Sequence, residues 1–259
     1  GIASILTGTR SYYMGEFTMN YTKQIAKHFV SAVAGATNEH FGSNSFSGTG
    51  KGYTLPDLKY DAIGSGTQSL NTIGSGRAET QLISFLGRVN YSFNDKYLIT
   101  ASIRADGSSK FGANNKYGIF PSFSAGWRIS EEEFMKGSSV SNLKLRAGWG
   151  RTGNQEIPSK ITQARFTSVV SGTTSYPLNE SSTYPAGTSY TRLANPNIQW
   201  EQSTQTDLGL DFAFLNGALS GTIDAFHKVS GDILLEVIPS DPVQPAGTFW
   251  TNVKDMTIT

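Results

Sequence analysis

Cysteine is absent from this 259-residue chain, so neither a disulfide framework nor a thiolate metal site is available to it. Charge is scarce as well: Asp, Glu, Lys and Arg make up 16% of the residues, against about 25% in ordinary soluble domains. The 21 basic residues are scattered and matched by 20 acidic ones, leaving a formal charge of +1. That balance provides no electrostatic footprint for nucleic acid, which is excluded as a partner. Long apolar runs are lacking too. The longest, "FVSAVAGA" at 29–36, falls far short of the ~20 residues that a spanning helix needs. A helical membrane protein is excluded, but a β-barrel is not, because its strands need only about 9–11 residues and alternate in polarity. No signal peptide precedes Gly1, and Thr259 falls inside a polar, strand-like run. The chain therefore reads as a piece of something longer.

What is present is glycine, 28 residues of it, together with an aromatic fraction of 12%. Few charges with many Tyr, Phe and Gly point to turn-rich β-structure. The stretch "KYGIFPSFSAGWRIS" at 116–130 has a period of two. Tyr117, Ile119, Pro121, Phe123, Ala125, Trp127 and Ile129 share one face, while Gly118, Phe120, Ser122, Ser124, Gly126, Arg128 and Ser130 share the other. The same alternation recurs in "ISFLGRVNYSF", where Ile83, Phe85, Gly87, Val89, Tyr91 and Phe93 oppose Ser84, Leu86, Arg88, Asn90 and Ser92. A turn at Asn94-Asp95-Lys96 leads into a return strand, with Tyr97, Ile99, Ala101, Ile103 and Ala105 on its apolar side. A second hairpin sets Thr206, Leu208, Leu210, Phe212 and Phe214 against Gln205, Asp207, Gly209, Asp211 and Ala213. It turns at Asn216-Gly217 and returns through Leu219, Ile223 and Ala225. A third pair, from "SYYMGEFTMNY" through "TKQIAKHFVSAVAGA", alternates least clearly. Ser130 is placed to cap a short helical turn through Glu131 to Glu133, after which Leu143, Leu145, Ala147 and Trp149 resume the period of two. The total is about eight strands, each long against the 5–6 residues usual in soluble sheets.

The connections are asymmetric. Short links at 22–27, 94–96, 131–141 and 216–218 lie at one end of the strand array, and long Gly/Ser/Thr/Asn/Pro-rich ones at about 41–80 and 153–199 lie at the other, with a shorter one at 106–116. Outer-membrane barrels sort their connections this way, with the long loops extracellular. Tyr91, Phe93, Tyr97, Trp127, Phe212 and Phe214 cluster beside the short turns, and Tyr117, Trp149 and Trp200 near the long loops, as two interfacial girdles would require. In lipid every backbone amide must be paired, so strands persist in a closed cylinder with an apolar outside and a polar inside. Ser, Gly and Arg128 then face the lumen. Pro121 lacks the N–H that a ladder requires, and a bulge or pairing break is expected near the outer rim. The predicted fold is all-β: a transmembrane antiparallel barrel segment with short periplasmic turns and long extracellular loops.

Several long motifs carry a family resemblance. "LNTIGSGRAETQLISFLGRVNYSFNDKYLITASIRADGSSKFGANNKYGIFPSFSAGWRISEEEFM", "NLKLRAGWGRTGNQEI", "LANPNIQWEQSTQTDLGLDFAFLNGALSGTIDAF" and "HKVSGDILL" resemble the SusC/RagA family of TonB-dependent outer-membrane transporters of Bacteroidetes. Together they touch most of residues 70–236; residues 1–69 and 153–190 carry little of it. The resemblance implies a 22-stranded barrel with an N-terminal plug, importing glycans or peptides with energy from TonB and a SusD-like lipoprotein over its extracellular mouth. On that view residues 1–259 belong to the C-terminal part of the barrel, and neither plug nor TonB box is in this chain. An arc of eight strands would leave unpaired amides at both edges. It could close alone, but a self-closed eight-stranded barrel is filled by its side chains, and the inward sets here are rich in Gly, Ser and Ala. The larger cylinder fits better.

Import needs no catalytic residue, cofactor or metal, and none is assigned; the chain is not read as an enzyme. His28, His40 and His227 form no metal pair. Glu39 and His40 read as a solvated rim pair, and no Gly-x-Ser-x-Gly elbow occurs. "SGTGKGY" at 47–53 fails as a phosphate loop, with Ser45 in place of the first Gly and Gly52 after Lys51. "ADGSSKFGANN" at 105–115 offers Asp and Asn oxygens at no EF-hand spacing and reads as a turn. Arg88, Arg104, Arg128 and Asp106 are expected on the lumen side as a salt-bridge lattice or plug contact. Tyr176, Tyr184, Tyr190 and Trp250 are aromatic platforms on which sugar rings could stack, but none is singled out as a substrate contact. The alternative to an importer is a soluble or surface-attached carbohydrate-binding or adhesive β-module. It requires Phe85, Val89, Tyr91, Ile99, Phe123, Leu208 and Phe212 to pack against a second layer.

Overall fold

The computed structural model describes residues 1–54, 57, 60–169, 187–238, 248–253 and 255–258, the side chains of 167–169, 187, 189, 190 and 258 excepted. Among these the regular structure is strands and single 3-10 turns. In chain order the strands are β1 Ile2–Ile25, β2 His28–Lys51, β3 Thr72–Phe93, β4 Tyr97–Ser108, β5 Tyr117–Arg128, β6 Val140–Asn154, β7 Arg165–Val169, β8 Gly187–Arg192, β9 Glu201–Phe214, β10 Leu219–Gly231, β11 Ile233–Val237, β12 Phe249–Val253 and β13 Met256–Ile258. Nine of them form one sheet in the order β1-β2-β3-β4-β5-β6-β9-β10-β13, while β7–β8 and β11–β12 are separate two-stranded ribbons. The eight long strands expected from the periodicity are β1–β6, β9 and β10.

The chain divides into two compact units: residues 1–15 with 38–82, and residues 16–37 with 83–259. The first holds the outer reaches of β1, β2 and β3 and two 3-10 turns, Ile63–Ser65 and Gln68–Leu70. Gly52 N–H donates to the Gly1 carbonyl at 3.0 Å and Thr67 N–H to that of Lys51 at 2.8 Å. Much of the stretch 41–80, read from composition as loop, is thus strand; only 52–71 connects. Its Gly, Ser and Thr residues are loop-like by propensity, but propensity in sheets yields to pairing with neighbours. Ser4 and Thr49 hydroxyls, for example, meet at 2.9 Å.

In the second unit the turns follow from residues that tolerate left-handed backbone. Asn94 and Asp95 take φ of 52° and 55° between β3 and β4, and Leu215, Asn216 and Gly217 take 52°, 55° and 88° between β9 and β10. Cross-strand registers then write the two faces as rows. One row reads Ile99, Ala125, Ala147, Leu208, Ala225, and the next residue along gives Thr100, Ser124, Gly148, Asp207, Phe226. The apolar rows are uncovered: Leu208 is 58% exposed, Phe85 53%, Phe123 49% and Val89 47%. No second layer of described residues lies over them. Ser102 and Ser122 hydroxyls meet at 2.6 Å, and Ser203 and Ser230 at 2.7 Å, so the polar face is tied across strands by its own side chains.

Of the two outcomes expected at Pro121, the pairing break is the one found: β4–β5 pairing runs through Ile103 and Pro121 without a bulge, while the β5–β6 ladder ends at Ser122–Gly150, where proline supplies no N–H to extend it. Other expectations are corrected. Ser130 caps nothing. It lies inside the 3-10 turn Ile129–Glu131, whose N-cap is Arg128. The connection 153–199 contains the β7–β8 hairpin, and Trp200 is buried at 4% exposure, not part of a lipid-facing girdle.

Candidate functional site

The polar face, tied across its strands by side-chain hydrogen bonds, carries the charged side chains of the sheet. Its centre is a charge cluster spanning three strands. Arg146 on β6 stands opposite Gly209 on β9, which stands opposite Asp224 on β10. Because Gly209 has no side chain, the guanidinium reaches across β9, and Nη2 donates to Asp224 Oδ1 at 2.9 Å. Arg146 also donates Nε and Nη2 to both oxygens of Asp211, at 2.8 and 2.9 Å, in the bidentate geometry natural to Arg and carboxylate. Thr222 adds a hydroxyl donor to Asp211 at 3.1 Å. A cavity of about 480 Å³ opens beside this cluster, lined by Thr100, Ser124, Lys144, Arg146, Asp207, Asp224 and Phe226 among others. Phe226 places an aromatic ring, 53% exposed, on the polar face.

A second ion pair lies nearer the long-loop end. Arg104 Nε donates to the two oxygens of Asp106 at 2.7 and 2.8 Å, and Nη2 donates to the buried Ser84 hydroxyl at 3.0 Å. Arg104 and Asp106 were expected on this face and are brought together there, so the Asp106 carboxylate is engaged by a cation of the protein. Arg128 is at the short-turn rim: Nη1 donates to the Asp95 carbonyl at 3.3 Å and Nη2 pairs with Glu131 at 3.5 Å. The cluster around Arg146 was missed, although Gly209 and Asp211 were counted onto the polar side of β9, and Arg146 and Asp224 alternate with the apolar Leu145 and Ile223. Register, which joins them, cannot be counted along one strand.

At the long-loop end Phe111, Phe120 and Trp200 are buried, as are Ile157, Ile161 and Ile198 in the neighbouring connections. Trp200 lies 4.7 Å from Phe111 and 5.4 Å from Phe120 between ring centroids, and its Nε1 donates to the Lys116 carbonyl at 3.1 Å. This small core anchors the loops that frame the polar face. At the short-turn end Glu132, between two 3-10 turns, accepts from Tyr97 Oη at 2.7 Å, Lys96 Nζ at 3.0 Å and Trp127 Nε1 at 3.1 Å. Those donors, the Tyr97 hydroxyl foremost, lower its pKa from 4.5 to about 2. His28, Phe93, Tyr97 and Trp127 form a row of rings with centroids 4.8, 6.3 and 6.4 Å apart; the last three are among the aromatics expected beside the short turns.

The histidines hold no metal centre among the described residues. His28 Nδ1 lies 2.8 Å from the Tyr91 hydroxyl. Glu39 accepts from Tyr12 Oη at 3.0 Å in the first unit. Trp250 belongs to the β11–β12 ribbon, and its carbonyl accepts from Asn195 Nδ2 at 2.8 Å. Tyr176, Tyr184 and the side chain of Tyr190 lie outside the described residues.

A family model described as TonB dependent receptor-like, beta-barrel matches residues 3–259. TonB-dependent receptor SusC of Bacteroides thetaiotaomicron is 36% identical over 221 residues, 85% of this chain and 21% of its own. TonB-dependent receptor P26 of Formosa agariphila is 32% identical over 239 residues, 92% of this chain and 23% of its own. Among solved structures, the RagAB peptide importer in its closed-closed state superposes with a TM-score of 0.83 at 25% identity, covering 98% of this chain and 27% of that one. The chain therefore spans about a fifth to a quarter of the length of the relatives it matches.

Proposed function

Since this chain belongs to the TonB-dependent receptor-like β-barrel family, we propose that it forms part of the barrel wall of an outer-membrane importer for oligosaccharides or peptides. The observation that carries this reading is the division of one sheet into an uncovered apolar face and a hydrogen-bonded, charged face, the arrangement a wall between lipid and an aqueous path requires. The chain lies in the C-terminal part of that barrel, with the plug and the TonB-contacting segment encoded elsewhere in the polypeptide. A SusD-like lipoprotein sits over the extracellular mouth, as the likeness to SusC and to the RagAB complex supports. No chemical step is performed on the cargo by these residues; they guide it.

The test is uptake by cells carrying the full receptor. Labelled oligosaccharide and oligopeptide pools are supplied to the wild type, a receptor deletion and a TonB deletion. Accumulation of one pool should fall to background in both deletions. Equal accumulation of every pool in the receptor deletion would refute the reading, as would recovery of the receptor in the aqueous phase after cell breakage without detergent.

A further inference from the structure

One carboxylate beside the Arg146 cavity is left without a cation. Asp211 and Asp224 are both held by the Arg146 guanidinium, whereas Asp207 accepts only from Gln205 Nε2, at 2.6 Å and on Oδ1. Among the described residues no ion pair engages Asp207. Lys144 stands two same-face positions away along β6, opposite Asp211, and Lys228 is diagonal to Asp207 on β10. The second oxygen, Oδ2, lies over Gly148, where a Cβ would meet it at 3.5 Å; the missing side chain leaves the approach to it open. Directly opposite Asp207 on β10 is Phe226, its ring half-exposed. On the other side of Gly148 come Ser124 and then Thr100. All five residues of this row line the same cavity of about 480 Å³ and share the polar face.

We infer that this row binds an amino sugar, its ammonium meeting Asp207 Oδ2, its pyranose face lying on the Phe226 ring and its hydroxyls reaching Ser124 and Thr100. A hydrogen bond from an ammonium to a carboxylate is stronger than one between neutral groups, and the face of an aromatic ring attracts the same cation. A neutral sugar in this cavity would take water from the Asp207 carboxylate without supplying a counter-charge, and an acidic sugar would bring a like charge to it. A lysine-bearing peptide carries its ammonium at the end of a flexible stem, so docking it freezes rotamers that a sugar ring has already fixed. An amine set rigidly beside a flat apolar face matches a carboxylate set rigidly beside a ring. The inference rests on the importer reading and deepens it by naming a cargo class.

The experiment uses the full receptor, purified in detergent, and titration calorimetry with tetraglucosamine, its fully N-acetylated counterpart and tetralysine, in mildly acid buffer that keeps the amines protonated. Tetraglucosamine should bind, weakening as salt is raised. The acetylated sugar and the peptide should each bind at least tenfold more weakly. Asp207→Asn, which keeps the size of the side chain and removes its charge, should weaken tetraglucosamine at least tenfold, with the heat-modifiable mobility of the folded barrel kept. Comparing amine with amide on the unaltered receptor needs no variant, so a misfolded Asp207→Asn protein does not rescue the proposal. Absence of binding at millimolar tetraglucosamine, equal binding of the acetylated sugar, equal binding of tetralysine, or an unaffected folded Asp207→Asn receptor would each overturn it. Uptake that persists without TonB while tetraglucosamine still binds would instead sink the importer reading and leave the site standing.

Discussion

At the residue scale, Gly209 shows how an absent side chain makes room for a charge contact across a strand. A Cβ there would crowd Asp224 Oδ1 and stand 2.7 Å from Arg146 Nη2, whereas one on Gly148, in the neighbouring row, would meet Asp207 Oδ2 at an ordinary 3.5 Å. Gly209→Ala should therefore swing the ends of Arg146 and Asp224 apart and lower the melting temperature of the intact receptor by no more than Asp224→Asn does, whereas Gly148→Ala should leave it unchanged; differential scanning calorimetry of the three variants side by side checks this. Glu132 provides a second prediction at this scale. Its pKa is about 2 in the folded protein against 4.5 ordinarily, so its contribution to stability is complete above about pH 4.5. That contribution is lost as pH falls through that value toward 2. Glu132→Gln should flatten the melting temperature across this window, measured from pH 6 down to pH 2. The residue types at both places were legible, since Arg146, Asp211 and Asp224 counted onto polar alternates. What pairs with what was not, because a chain records spacing along a strand and register is set between strands.

At the scale of elements, β4, β5, β9 and β10 were readable because alternation is strict where one side meets lipid and the other water. Strands β1 and β2 were less so. Small residues on β2, Ala32 and Ala34, join Gly87 on β3 and Ala101 on β4 with Met19, Tyr21, Val89 and Ile103 in lining a shallow apolar groove of about 570 Å³. Apolar Phe29 and Val33 fall on the other alternates of β2, which blurs the period. The loop core was missed for a different reason. Ile157, Ile161 and Ile198 sit singly in polar stretches, and only the fold buries them, as it buries Phe111, Phe120 and Trp200. Trp200→Ala should cost about 3–5 kcal/mol locally. The expected result is faster tryptic cleavage after Lys110 and Lys116, with the melting of the barrel itself little altered. Lys110 is presently tied down by donating Nζ to the Gln155 carbonyl at 3.2 Å.

For the whole molecule, the decisive quantity is the sign of the environment on each face. Leu208 and Asp207 are adjacent on β9 yet belong to opposite worlds. Leu208→Lys should cost about 2–4 kcal/mol near the bilayer midplane and reduce the heat-modifiable, assembled fraction of receptor in outer-membrane preparations. Asp207→Lys should assemble normally. Fold class and the membrane setting were legible in composition and period, whereas the span of β1–β3 was not, because Gly- and Ser-rich segments become strands only when a neighbour supplies the ladder. The far border of β10 carries one more implication. From Leu219 to His227 it is bonded to β9, and among the described residues nothing pairs with its other side. A polypeptide limited to these 259 residues would therefore offer a sticky seam, and copies made in isolation should zip together side by side into insoluble polymer until the remaining staves of the receptor are supplied.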